Sequence, residues 1–425
     1  MTKHKYTKDG RLLFTKDMKK EYTILMPMMM PIHFTFIKNI LEKYGYKIEL
    51  LNTTHTQIIN EGLQNVHNDT CYPALLVIGQ LLDALKSGKY DINKTALIIT
   101  QTGGGCRASN YIYLLRKALK KNHMENIPVV SFNVSGMEKN PGFKLTLGMI
   151  IQLTFAILYG DIIMLLANQT RPYEVNSGES DRLVNKWITK LSKEITGRNL
   201  LNNKLVKKNL ELITADFVSL PIVYTQKIKV GVVGEIYMKY SPLGNNNLEA
   251  FLLNEGAEVQ VPGLLDFIIY TVDNGITDAS LFGINRSRAF FTSILKKHFI
   301  KMQHMLIEAV KTQPVFKAPT SFEHIKTLAA DYVGIGNKMG EGWLLTAEML
   351  ELVSSGVENI VCTQPFGCLP NHIVGKGMVR KIKDNYKNAN IVAIDYDPGA
   401  TKINQENRLK LMLSTAKLNF LKQSL

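Results

Sequence analysis

Short apolar runs without polar alternation recur along the chain, each followed within a few residues by a longer segment of helical character. They lie at residues 22–27, 46–51, 96–100 and 128–132, and again at 228–233, 256–259, 358–361 and 391–394. A strand that is apolar on both faces must be covered on both, which is the condition of a parallel sheet with helices on either side. Strand, helix and strand joined by short connections form the parallel crossover unit. The spacing therefore predicts an α/β fold: two doubly wound parallel-sheet domains, the second repeating the plan of the first.

With 425 residues the chain exceeds one ordinary core. Residues 1–20 read as an N-terminal arm with a turn at Asp9-Gly10, and 21–170 as the first α/β domain. Residues 171–226, Lys-rich and helical after a polar stretch, read as a connector. The second domain spans 227–425, with a helical insertion at about 263–316. The apolar run 145–167 is long enough for a membrane span, but it carries Gln152 and Asp161 and follows a strand it would cover. It is expected to be a buried helix, with no membrane involved. The N-terminal segment lacks the apolar core of a signal peptide, so a cytoplasmic protein is expected.

The formal charge is +15, mostly from Lys scattered along helix faces rather than massed with aromatic residues. That pattern suits a solvated surface, or attraction of an acidic partner, and no nucleic-acid partner is expected. A possible homo-oligomer stays open.

All four cysteines fall in three turns. Cys71 lies in Asn68-Asp69-Thr70-Cys71-Tyr72-Pro73, where Pro73 suits a first helical turn. Cys106 ends Gln101-Thr102-Gly103-Gly104-Gly105-Cys106, and Cys362 and Cys368 bracket Thr363-Gln364-Pro365-Phe366-Gly367. Four cysteines in so long a chain are no disulfide framework. Open α/β sheets place ligand sites beyond the carboxyl ends of their strands, and a helix N-terminus favours the thiolate. Soft thiolates suit an iron–sulfur cluster, zinc or copper(I), and four match the ligand count of a [4Fe-4S] cubane. The expectation is one metal centre held by Cys71, Cys106, Cys362 and Cys368. For each, a packed thiol is the plain alternative, above all for Cys362 at a strand end.

Other polar residues flank these turns. Arg107, Asn110 and Tyr111 open the helix after Cys106, Asn371 and His372 follow Cys368, and Glu235, Tyr237 and Glu341 stand near the expected cleft. Arg107, Glu235, Tyr237 and His372 are the candidate catalytic residues; helix capping is the alternative role. The segment 99–106 can be laid over 362–368 with one gap, sharing Thr-Gln and Gly-Cys, and this alignment brings the Cys71 region near Glu341-Gly342-Trp343. It predicts two like domains across a pseudo-two-fold cleft.

These motifs, with Gly234-Glu235-Ile236-Tyr237, Asp395-Tyr396-Asp397-Pro398-Gly399 and Asn407-Arg408-Leu409-Lys410-Leu411, carry a resemblance. Over about residues 20–415 the chain resembles the 2-hydroxyacyl-CoA dehydratase superfamily, specifically the C-terminal region of CoA-substrate-specific enzyme activase proteins. The resemblance implies flavodoxin-like domains with a cysteine-ligated iron–sulfur cluster in their cleft. It also implies reductive chemistry on a small-molecule substrate, fed by low-potential electrons from an ATP-dependent activator or reductase protein supplied in trans. In the dehydratases proper it implies fewer ligands per cluster and an iron left free for substrate.

Overall fold

Among the described residues, eight strands form two four-stranded sheets, both wholly parallel, with orders β2-β1-β3-β4 and β6-β5-β7-β8. The structure, a computed structural model, describes residues 4–8, 10–67, 69–102, 104–133, 137–195 and 202–423. Asp9, Asn68 and Gly103, each in a turn singled out above, lie outside the described residues.

The first half runs α1 (Lys16–Glu21), β1 (Thr23–Pro27), α2 (Pro31–Lys43), β2 (Lys47–Leu51), α3 (Gln57–Asn65) and α4 (Tyr72–Lys86). It continues with β3 (Thr95–Thr100), α5 (Tyr111–Lys121), β4 (Val129–Phe132) and α6 (Leu147–Thr170). Two helices, α7 (Glu179–Glu194) and α8 (Asn203–Val218), connect the halves. The second half runs β5 (Lys229–Gly234), α9 (Ile236–Tyr240), α10 (Leu248–Asn254), β6 (Glu258–Gln260), α11 (Leu264–Phe282) and α12 (Arg286–Lys311). It ends with α13 (Phe322–Ala330), α14 (Trp343–Ser354), β7 (Asn359–Pro365), α15 (Val379–Asn385), β8 (Asn390–Tyr396) and α16 (Lys402–Gln423).

The apolar strands are buried on both faces. In the first sheet Ile24, Met26, Ala96 and Ile98 pack with α2 and α6, while Leu25, Leu97 and Ile99 pack with α4 and α5. Each such side chain contributes roughly 1.5–3 kcal/mol when fully buried. The segment before β1 is anchored rather than loose: Leu12 and Phe14 lie in the core, and the Phe14 amide donates to Asn140 Oδ1 at 3.1 Å.

Helix α6 is long and apolar enough to cross a membrane by length and composition, yet two-thirds of its apolar window is buried inside the protein. Thr146 starts it by accepting from the Met149 amide. Asp161, the charge inside its apolar run, is spent on partners: it accepts from the amides of Leu264 and Leu265 at 2.8 Å each, at the start of α11.

In both sheets the chain steps from the first strand to one side, then crosses back to the other. The carboxyl ends of β1 and β3, and of β5 and β7, therefore flank switch points where ligands of such sheets bind. The two halves do not merely touch. One apolar cluster joins Leu25, Leu75 and Ile99 to Val230, Tyr240 and Val361, and another joins α6 to Trp343 and Ala347.

Candidate metal centre

Cys71 precedes α4 directly and is its N-cap residue. The chain holds it there from the other half: the Tyr72 amide donates to the Phe366 carbonyl at 3.0 Å. Gly367 follows Phe366 with φ +74°, and a Cβ on it would stand 3.0 Å from Cys71 Cα. Glycine is required twice over, by its backbone angle and by this approach. Cys71 is buried, and its Sγ lies 2.7 Å from the Tyr111 hydroxyl.

Cys106 caps the short turn of helix Arg107–Asn110 that leads into α5. Its neighbour Gly105 faces Met339 of the second half, whose Sδ a Cβ would approach to 2.4 Å. Cys368 follows Gly367 and accepts the His372 amide on its carbonyl at 3.2 Å. Cysteine turns from both sheets thus meet at the seam.

Their electrostatics overlap. Burial raises the pKa of Cys71, with the Tyr111 bond opposing and the Glu235 charge adding to the rise. Burial pushes Cys106 up to about 12, with further contributions from Glu341, Glu235 and Cys71. Burial raises Cys368 as well, followed by Glu341, Glu235 and, more weakly, Cys106. In all three, burial disfavours the thiolate, so a ligand's charge would have to be offset by what it binds.

Cys362 does not join them. It lies inside β7, wholly buried, among Val233, Met349, Leu350 and Ile382. Its Sγ sits 3.6 Å from Asn371 Oδ1 and would touch a Cβ on Gly375 at 3.5 Å. Burial pushes its pKa up to about 12, and the charges acting on it are Glu348, Asp395 and, in opposition, Lys376, a different set from that around the other three. Cys362 packs on the opposite side of its strand from the neighbouring Val361, which faces α16, and its apolar cluster holds none of the other three cysteines.

Glu235 and Glu341 share the start of α9. Glu235 Oε2 accepts the Met238 amide at 2.9 Å and Glu341 Oε1 accepts the Ile236 amide at 2.9 Å. Burial and the Glu341 charge push Glu235 up to about 8, and burial raises Glu341. One helix turn on, Lys239 is buried with Glu348 at 2.8 and 3.1 Å. Tyr237 is buried beside Tyr72 and Glu235, and burial raises its pKa.

The remaining candidates face outward. Arg107 is exposed and donates to the Asp69 carbonyl at 2.6 Å, which secures the turn before Cys71. His372 is exposed, with its ring against the Gln364 amide. Sequence reasoning passed over Lys239 and Glu348; the signal available was a lone carboxylate, Glu348, within the apolar run Trp343–Met349 of α14.

The repeated Thr-Gln has a structural counterpart. Gln101 follows β3 and donates to the Ser109 carbonyl, and Gln364 near the end of β7 meets His372. Each glutamine thus ties the cysteine turn that follows it. Equivalent positions in the two sheets carry Cys106 and Cys368, while the N-cap of α4 is Cys71 and that of α14 is Gly342 beside Glu341.

Among the described residues no group of three or more His, Cys, Asp or Glu side chains stands ready to hold a single ion. A mononuclear zinc site needs all its donors within about 2.3 Å of one ion. A cluster takes its thiolates on separate irons, so it asks for a wider spacing of donors than a single ion does. No family model matches the chain, and no curated protein matches it.

Proposed function

We propose that the chain is an iron–sulfur protein of the 2-hydroxyacyl-CoA dehydratase type, with its cluster on Cys71, Cys106 and Cys368. In this reading the two sheets are flavodoxin-like domains facing a shared cleft, and α11 with α12 is an insertion in the second. The observation that carries it is the meeting of three cysteine turns from the carboxyl ends of two sheets, each at the start of a helix.

When bound, such a cluster supplies single-electron transfer at low potential, and an iron without a thiolate can take a substrate oxygen. The residues define the rest. Toward a Cys71 thiolate, which a ligand must be, the Tyr111 hydroxyl 2.7 Å away would be the donor and would favour that charge. Glu235, raised to about 8, carries a proton near neutral pH beside the three sulfurs and is the group placed to give or take one. Lys239, held in place by Glu348, supplies a positive charge that opposes the rise in both Glu235 and Glu341.

Ligation by three thiols agrees with the fewer-than-four pattern that the resemblance implies for the dehydratases proper. A purely structural staple is disfavoured, because the halves already share two apolar clusters. Exposed Phe366, Leu369, Ile373 and Met339 rim the cysteine turns, an apolar collar of the kind a docking protein covers. The ATP-dependent reductase would bind there in trans, in the cytoplasm.

Anaerobic reconstitution with iron and sulfide, followed by reduction with dithionite, tests the proposal. A brown protein with a paramagnetic reduced state is expected. A colourless protein with stoichiometric zinc ends the redox reading.

A further inference from the structure

Connections between helices run over the surface and are built mostly from polar and turn-forming residues. The turn between α11 and α12 is instead Gly283-Ile284-Asn285, with Phe282 before it. Gly283 and Asn285 both take left-handed backbone angles, φ +67° and +53°, so the chain reverses tightly with Ile284 at the apex. Leu281 and Phe282 close α11, and Phe290, Phe291 and Ile294 lie on the first turns of α12. All six are 49–70% exposed. Single exposed apolar side chains are ordinary, but this many at one hairpin tip form a patch that needs a cover.

The contacts of α12 fix which way its faces point. Thr292 lies against Gly275 of α11, Lys296 pairs with Asp273 at 2.8 Å, and Phe299, Met302 and Leu306 are buried. The opposite face carries Phe290, Ile294, Lys297 and Lys301, at spacings of four, three and four residues. Lys297 and Lys301 are exposed and, among the described residues, in no ion pair; Glu323 is the carboxylate beside them. Apolar residues thus lead at the tip and cations follow. At a rise of 1.5 Å per residue, Lys297 stands about 10 Å behind Phe290.

Charge along the hairpin has one sign. From 279 to 307 there is no Asp or Glu, against Arg286, Arg288, Lys296, Lys297 and Lys301. The acids at its base are engaged: Asp273 by Lys296 and Lys326, and Asp278 by Lys338.

We propose that this tip docks the protein on an anionic lipid bilayer, with the apolar residues below the headgroups and Lys297 and Lys301 among the phosphates. Interfacial segments bury their apolar side about 5–10 Å deep, with cations at the headgroups, and the order of side chains along α12 matches that layering. A second copy of the chain would bring two cationic belts together on proteins that each carry +15. The contact is peripheral: α6 stays inside the protein. The inference does not rest on the metal reading.

Flotation of the full-length protein with vesicles tests it, using phosphatidylcholine alone against equal parts phosphatidylcholine and phosphatidylglycerol. Binding to the anionic vesicles is expected to be at least about tenfold tighter and to weaken as salt is raised. The double variant Phe290→Ser, Phe291→Ser changes only exposed positions and should lose binding with an unchanged urea midpoint. Lys297→Gln with Lys301→Gln should shrink the preference for anionic vesicles. Phe290→Trp adds an exposed indole to a chain whose Trp187 and Trp343 are buried. Its emission should shift to the blue on anionic vesicles and be quenched by brominated acyl chains. No flotation, flotation that survives the double serine variant, or an indole that brominated lipid does not quench would each overturn the proposal. So would a parent that dimerises through this tip and ignores vesicles.

Discussion

Gly367 approaches Cys71 so closely that a methyl group on it would stand 3.0 Å from the Cys71 Cα and 3.2 Å from its nitrogen. Residues 296 positions apart along the chain (367 − 71) are in backbone contact, and the contact sets where the first cysteine lies.

Gly367→Ala forces either a left-handed alanine or a displaced Cys71 turn. A loss of roughly 1–3 kcal/mol is expected, read as a lower urea midpoint at unchanged slope. A variant as stable as the parent would mean that the two turns are not packed as described.

Tyr111→Phe removes the hydroxyl 2.7 Å from the Cys71 sulfur. That bond opposes the rise caused by burial, so its loss should move the Cys71 titration further up. The pH dependence of Cys71 alkylation, followed by mass spectrometry of the metal-free protein, reads this directly.

Glu235 supplies a pH dependence whose sign is fixed. Its folded pKa of about 8 lies above the ordinary carboxylate value of 4.5, so the folded state holds the proton more tightly than the unfolded chain. The associated stability is fully present below about 4.5 and is lost as pH rises toward 8. Urea unfolding of the metal-free protein should show stability falling between pH 5.5 and 8.5. Glu235→Gln should flatten that fall by an amount on the order of 1–3 kcal/mol.

Lys239→Met leaves Glu348 buried without its partner. Breaking such a pair costs roughly 3–5 kcal/mol, whereas replacing both members with apolar residues often costs little. The double variant Lys239→Met, Glu348→Leu is therefore expected to recover most of the stability, measured by the same denaturation.

The strands and helices were legible because a parallel sheet buried on both faces writes itself as unbroken apolar runs. The cysteine turns stood out through rarity and through the repeated Thr-Gln. Three things were not legible. Strand β7 continues to Pro365 instead of ending near 361, because Thr363 and Gln364 are polar in name but wholly buried, with Thr363 Oγ1 donating to the Val233 carbonyl at 3.1 Å. The face taken by Cys362 follows from strand parity, and a strand apolar on both faces gives no sign of which side a given residue meets. The buried pair Lys239–Glu348 joins residues 109 positions apart; the apolar run of α14 marks Glu348, but nothing local names its partner.

Iron and acid-labile sulfide, counted anaerobically in the parent and in four single Cys→Ser variants, test the central claim most directly. About four of each per chain are expected in the parent, unchanged in Cys362→Ser and lost in Cys71→Ser, Cys106→Ser and Cys368→Ser. Iron that depends on Cys362, or that persists when Cys71, Cys106 or Cys368 is replaced, would contradict the account.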